Sequence, residues 1–255
     1  MYPVLFKIGH IAIHSYGVLI ATAFLVGLWI ANNEAKRKGI DSKLVSDFAI
    51  YAIIFGMLGA RLGYVFFFDF AYFISRPLQI LAIWQGGLVL YGGIVGGLLA
   101  GIWFIKRRRL NFWKFADTFA PALILGQAIG RIGCFLSGDG YGLPTGLPWG
   151  VRFPEGSLAS LRFGQVAVHP TQIYESLLNL VIFAFLWRMR KRKTFDGFLF
   201  LLYLILYSTI RFFIEFLRAD SLYIAGGPVR SAQLISVAII AFSFLFMPYL
   251  KRRFR

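Results

Sequence analysis

Arg131 is a guanidinium in an unfavourable solvent. It lies near the end of an apolar run that starts at Phe119 and opens into a glycine-rich stretch, with glycines at positions 126, 130, 133, 138, 140 and 142. A charge inside a membrane helix is expensive and marks a partner or a function. Glycine turns bring bare backbone N–H groups together into anion-binding nests, and the planar guanidinium fork binds oxyanions through two parallel hydrogen bonds. The combination suits a phosphate. In the competing structural reading the glycines serve close helix packing while Arg131 pairs with Asp139.

Arg211, Glu215 and Arg218 stand at i, i+4 and i+7 and project from one helix face. A plain Arg211–Glu215 pair would neutralise itself. Two arginines against one glutamate leave a positive surplus, which near Arg131 would attract an anionic head group. The run His169-Pro170-Thr171-Gln172-Ile173-Tyr174-Glu175 opens another helix, since proline or threonine suits its start, and puts Glu175 one turn in. His169 alone is more ordinary as a hydrogen-bonding residue than as a base. Histidines at 10, 14 and 169 and a single cysteine have no metal-ligand spacing, so neither a metal nor another cofactor is expected. No Gly-x-Ser-x-Gly elbow and no Walker loop occurs, which argues against a serine hydrolase and a nucleotide-driven pump.

The elements that must position these groups are membrane helices. Of 255 residues, 58% are hydrophobic and 15% charged, too apolar for a soluble domain. Most of the 27 basic residues fall into four groups, at 36–43, 106–114, 188–193 and 251–255, each beside an apolar run. That is positive-inside patterning with membrane lipids as partners, and no nucleic acid is expected. The apolar runs predict an all-α integral membrane protein with seven transmembrane helices, N-terminus out and C-terminus in: 13–30, 45–68, 80–105, 115–136, 171–186, 198–216 and 232–250. Gly56, Gly59, Ala60 and Gly63 have the spacing for close helix contact. The glycine pairs between Trp84 and Gly97 predict an interrupted or tightly packed segment. Residues 137–168, rich in glycine and proline, form a small external head inserted in one polytopic domain, 1–255. Met1 to Ile13 lacks the basic region and cleavage site of a secretory signal, so the first helix is expected to stay.

The run from Gly130 through Arg131 and Asp139 to Gly142 resembles the signature of the prolipoprotein diacylglyceryl transferase family. His14-Ser15-Tyr16-Gly17, Gly59-Ala60-Arg61-Leu62-Gly63-Tyr64, Gln85-Gly86-Gly87, Tyr91-Gly92-Gly93, the His169–Glu175 run and the Arg211–Arg218 run are similar in identity and order. The resemblance implies an enzyme of the bacterial inner (cytoplasmic) membrane, working at the outer leaflet. It would transfer diacylglycerol from phosphatidylglycerol to the lipobox cysteine of a prolipoprotein that still carries its signal peptide, forming a thioether and releasing glycerol phosphate.

On that expectation Arg131 and Arg211 hold the phosphodiester, with Tyr16 and Gly142 beside it. Arg61 and Arg218 line the route, while Glu175, Glu215 and Asp139 fix the guanidiniums. The nucleophile belongs to the substrate, so Cys134 reads as a small buried residue. Many relatives carry histidine-glycine-glycine where this chain has Tyr91-Gly92-Gly93, and a neutral phenol is a poor base at neutral pH. Tyr91 then positions substrate, and His169 and Glu175 are the fallback bases, unless local positive charge lowers the thiol's pKa. A lipid or anion transporter and a non-enzymatic receptor are the competing classes. The Arg61-Leu62-Gly63 and Arg131-Ile132-Gly133 echo is too weak to carry a transporter's repeat symmetry.

Overall fold

The computed structural model describes the chain outside residues 1–3, 9–10, 69, 84–85, 193–194, 225–226, 228 and 254–255. His10, Gln85 and the terminal members of the last two basic groups, Lys193 and Arg255, lie outside the described residues. In order, the elements are β1 (Val4–Ile8), β2 (Ile11–His14), α1 (Ser15–Arg37), α2 (Ser42–Phe68), α3 (Phe70–Ser75), a 3-10 turn (Pro77–Leu81), α4 (Leu90–Arg107), α5 (Phe112–Ser137), α6 (Leu158–Phe163), α7 (Thr171–Met189), α8 (Phe198–Glu215) and α9 (Ser231–Arg253). The protein is mostly helical, and α1, α2, α5, α8 and α9 are long and apolar enough to cross a membrane. Glycines in α4 and Gln172, Glu175 and Asn179 in α7 dilute those two helices, which are 18 and 19 residues long.

The first apolar run does not begin a helix at Ile13. Ile11–His14 instead pairs antiparallel with Val4–Ile8, with Phe6 opposite Ile13 and a bulge between Val4 and Phe6. The β-branched Ile13 suits a strand and stands opposite Phe6 in the pair.

The chain forms two compact units, residues 32–115 and residues 1–31 with 116–255. In the first, α2 and α4 approach until backbone touches backbone: a Cβ on Gly92 would run into the Gly59 carbonyl oxygen, and one on Gly96 into that of Phe55. Close approach of small residues replaces the hydrophobic drive that lipid cannot supply between helices. The expected interruption lies ahead of α4, where Gly86 and Gly87 take φ values of 84° and 70°.

In the second unit, Ala120 and Ile124 of α5, Ile182 and Leu186 of α7, and Leu199 and Tyr203 of α8 make one buried cluster. Asp117, fully buried on α5, accepts hydrogen bonds from the Gly197 and Phe200 amides at 2.9 Å each and so caps the start of α8. A smaller core of Tyr141, Phe153, Ala159, Val168 and Ala219 organises the polar segment that follows α5. Val168 bridges to both Pro144 and Val151 there, in isolated pairings and not a full strand.

Candidate active site

Three helices of the second unit deliver the charges. Arg131 sits in the last two turns of α5, Glu175 in the second turn of α7, and Arg211 and Glu215 near the end of α8. The register between α5 and α7 is held by the Ser176 hydroxyl, which donates to the Ala128 carbonyl at 2.8 Å. Between α5 and α8 it is held by Gln127, whose amide donates to the Tyr203 hydroxyl at 2.9 Å. Within about one turn of these contacts lie Arg131, Glu175 and Tyr207.

The result is a row of alternating charge. Arg131 Nη2 is 2.8 Å from Glu175 Oε1, and Glu175 Oε2 is 3.9 Å from Arg211 Nη1. Arg211 Nη2 meets Glu215 Oε2 at 2.7 Å, and Arg218 Nε lies 3.9 Å from that same oxygen. Arg218 then closes on Asp220 through bonds of 3.0 and 2.6 Å. Arg230 donates to the Glu215 carbonyl. Glu175 and Glu215 are each 1% exposed, so the carboxylates are the buried members and the arginine tips face the more open side. Arg131, Arg211 and Arg218 therefore each have a carboxylate. Glu175 and Asp220 fold in beside Arg211, Glu215 and Arg218, and Arg230, bound to a main-chain carbonyl, leaves the cluster one positive charge in surplus.

Asp139 plays a different part from the one its position in sequence implies. It accepts from the Ser137 hydroxyl at 2.8 Å, and its main-chain carbonyl accepts from Gln172 at 2.8 Å. Arg131 pairs with Glu175 instead, because the packing of α5 and α7 brings that acid alongside. Tyr16, on the first turn of α1, lays its ring against Gly133, where an added Cβ would stand 3.2 Å from the ring, and lies within electrostatic reach of Arg131 and Asp139. Cys134 is half-buried next to Arg131. Tyr207, one turn before Arg211, also adjoins Arg131 and Glu175, and neither the charge pattern nor the glycine pattern singles it out. Its one signal is the i−4 spacing from Arg211, which puts both on one face.

Gly142 is held where nothing larger fits. Its amide donates to the His169 carbonyl at 3.0 Å, and a Cβ would come within 2.6 Å of the His169 Cβ and carbonyl oxygen and 2.9 Å of the Leu217 carbonyl. Arg218 bridges to the same glycine across the backbone. The His169 ring faces the Tyr174 hydroxyl at 3.4 Å, and that hydroxyl accepts from Trp149 at 2.7 Å.

Arg61, Tyr91, Gly92 and Gly93 belong to the unit of residues 32–115. Arg61 is 5% exposed and held by carbonyls: Nε donates to Ile80 at 3.0 Å, Nη1 to Gly86 at 2.6 Å and Gly87 at 3.1 Å, and Nη2 to Gln79 at 2.7 Å. The Phe73 and Tyr64 rings lie 5.1 and 5.8 Å from the guanidinium carbon. Its fork is spent on pinning the segment that leads into α4. Tyr91 stands in the first turn of α4 and is 58% exposed, while Gly92 and Gly93 form the packing face toward α2.

A family model described as prolipoprotein diacylglyceryl transferase matches residues 3–249. Among curated proteins, the phosphatidylglycerol–prolipoprotein diacylglyceryl transferase of Trichormus variabilis is 43% identical over 245 residues, covering 92% of this chain and 84% of the relative. The protein of the same name from Bacillus mycoides is 41% identical over 243 residues, covering 94% and 89%.

Proposed function

The chain belongs to the prolipoprotein diacylglyceryl transferase family, and on that premise we propose that it moves the diacylglyceryl group of phosphatidylglycerol onto the lipobox cysteine of a prolipoprotein. The cysteine sulfur attacks the glyceryl carbon that bears the phosphate, a C–S bond forms, the C–O bond breaks, and the electron pair leaves on the phosphate of glycerol phosphate. The thiol proton is released to solvent, and the phosphate goes from one negative charge toward two. Guanidiniums aimed at that oxygen stabilise the transition state more than the ground state, which is how electrostatic catalysis raises a rate.

The single observation that carries the site assignment is Glu175 lying between Arg131 and Arg211. A buried carboxylate holding two guanidiniums fixes their spacing while their remaining N–H groups stay available for a phosphodiester. Arg131 and Arg211 clamp the phosphate, and Tyr16 donates to a phosphate or ester oxygen. Gly142 and Asp139 shape the turn beside it, and Glu215 and Arg218 orient Arg211. Arg61 acts by shaping the approach to α4, where Tyr91 positions the incoming peptide and Gly92 and Gly93 support it by holding α4 against α2. His169, bound to Tyr174, is assigned to support of the head.

The protein is a multi-pass membrane protein. In the fuller reading, α4 and α7 also cross the bilayer, for seven spans with the N-terminus out and the C-terminus in. The head at 137–168 and the arginines then face the outer leaflet of the bacterial inner membrane, where signal peptides and phosphatidylglycerol meet. The four basic groups at alternate ends of the apolar runs support that orientation. The deciding experiment incubates purified protein with phosphatidylglycerol and a lipobox peptide and reads the peptide by mass spectrometry. A gain of one diacylglyceryl group, abolished by cysteine-to-serine substitution in the peptide, is expected; no gain with folded protein would overturn the assignment.

A further inference from the structure

At the basic end of the 32–115 unit, Tyr51 of α2 and Trp103, Phe104, Arg107 and Arg108 at the end of α4 line an open cavity of about 440 Å³, a size typical of ligand pockets. Phe104, 1% exposed, is the most buried residue of the lining. The Tyr51 and Trp103 rings meet edge to face at 5.4 Å and make the wall. Arg108 reaches Asp47 only at 3.5 Å, and Arg107 has no ion-pair partner among the described residues. Leu99 and Ile102 of α4 and Phe55 of α2 continue from the cavity as exposed apolar surface.

We propose that this cavity is a second lipid site, taking the phosphate of an anionic phospholipid from the inner leaflet and playing no part in the transfer reaction. Basic pockets between membrane helices on the cytoplasmic side bind such head groups. Tryptophan and tyrosine settle at head-group level. The two guanidiniums supply a fork for the phosphate, and the apolar surface beyond them receives the acyl chains. Placement at the inner leaflet rests on the seven-span orientation; the cavity itself does not.

The test is a native mass spectrometry titration of full-length protein carrying Arg131→Ala and Arg211→Ala, which weakens the reaction site. Phosphatidylglycerol, phosphatidylcholine and inorganic phosphate are the probes. One phosphatidylglycerol site should remain, weakened about thirtyfold when Arg107→Gln and Arg108→Gln are added, at about fivefold from each arginine near the surface. Phosphatidylcholine should bind no better than to the added double variant, and millimolar phosphate should not compete. Unchanged phosphatidylglycerol affinity after the two glutamine substitutions would overturn the proposal, as would inorganic phosphate matching the lipid. In otherwise native protein, Arg107→Gln with Arg108→Gln should leave turnover at saturating substrate unchanged, and a proportionate loss would overturn the separation of the two sites. Absence of turnover in the native protein, with lipid still bound here, would defeat the transferase assignment and leave this one standing.

Discussion

Arg131 on α5 and Glu175 on α7 meet at 2.8 Å, with the carboxylate 1% exposed. The acid is buried beneath the base, so the pair presents an arginine edge and hides its counter-charge. Such an arrangement holds a cation ready for an anion without leaving it loose.

Arg131→Ala and Arg211→Ala should each lower transferase turnover by about a hundredfold or more, the scale on which losing one preorganised donor to a developing oxyanion is felt. Lysine at either position should also be damaging, since a point charge cannot reproduce the two-toothed fork. Peptide modification followed by mass spectrometry, with circular dichroism to establish folding, measures both. Full activity in the two lysine variants would discard the bidentate geometry.

Glu175→Ala should cost about 3 kcal/mol of stability, because it strands the Arg131 guanidinium and leaves Arg211 to Glu215 alone. The midpoint of thermal unfolding in detergent should fall accordingly. Glu175→Gln keeps the volume and one acceptor and should fall less. An unchanged midpoint in both would mean that the carboxylate carries no structural charge pairing.

Arg61→Lys should loosen the segment ahead of α4. Lysine has three donors on one nitrogen and cannot span the carbonyls of Gln79, Ile80, Gly86 and Gly87 at once. Amide hydrogen exchange at residues 86–89 should accelerate by about tenfold, whereas Arg131→Ala should leave it alone. Equal exchange in Arg61→Lys and the parent protein would show that the carbonyl cage does not hold that segment.

Tyr91→Phe should keep substantial turnover if the ring only positions the peptide, as the same peptide-modification assay would read. A folded Tyr91→Phe protein with no turnover would assign the chemistry to its hydroxyl.

Charged residues in apolar runs are conspicuous, so Arg131, Arg211, Glu215 and Glu175 are legible in the amino-acid sequence itself. Their partners are less so. Asp139 is the near acid in sequence, yet helix packing pairs Arg131 with Glu175, and no local pattern encodes which neighbouring helix lies alongside. Tyr207 hides because tyrosine is an ordinary residue of membrane helices. Arg61 reads as a charge lining the substrate route; that four carbonyls satisfy it depends on a turn built by Gly86 and Gly87. The glycine spacing of α2 foretells close contact, and its fit against Gly92 and Gly96 of α4 bears that out. The β1–β2 hairpin is hard to read because Ile13 lies only three polar residues, His14, Ser15 and Tyr16, ahead of the apolar residues of α1 and reads as the start of the same run.

The cap that Asp117 places on α8 makes this helix a lever. Phe198 and Arg211 are separated along it by about 20 Å at ~1.5 Å per residue, so a tilt of about 5° at the capped end swings Arg211 by about 2 Å. Glu215 rides on the same helix and travels with Arg211, but Glu175 belongs to α7 and stays behind, so the 3.9 Å approach of Arg211 to Glu175 is the contact that opens. Asp117 thus sets, from the far end of α8, how Arg211 lines up with Glu175, a contact it never touches.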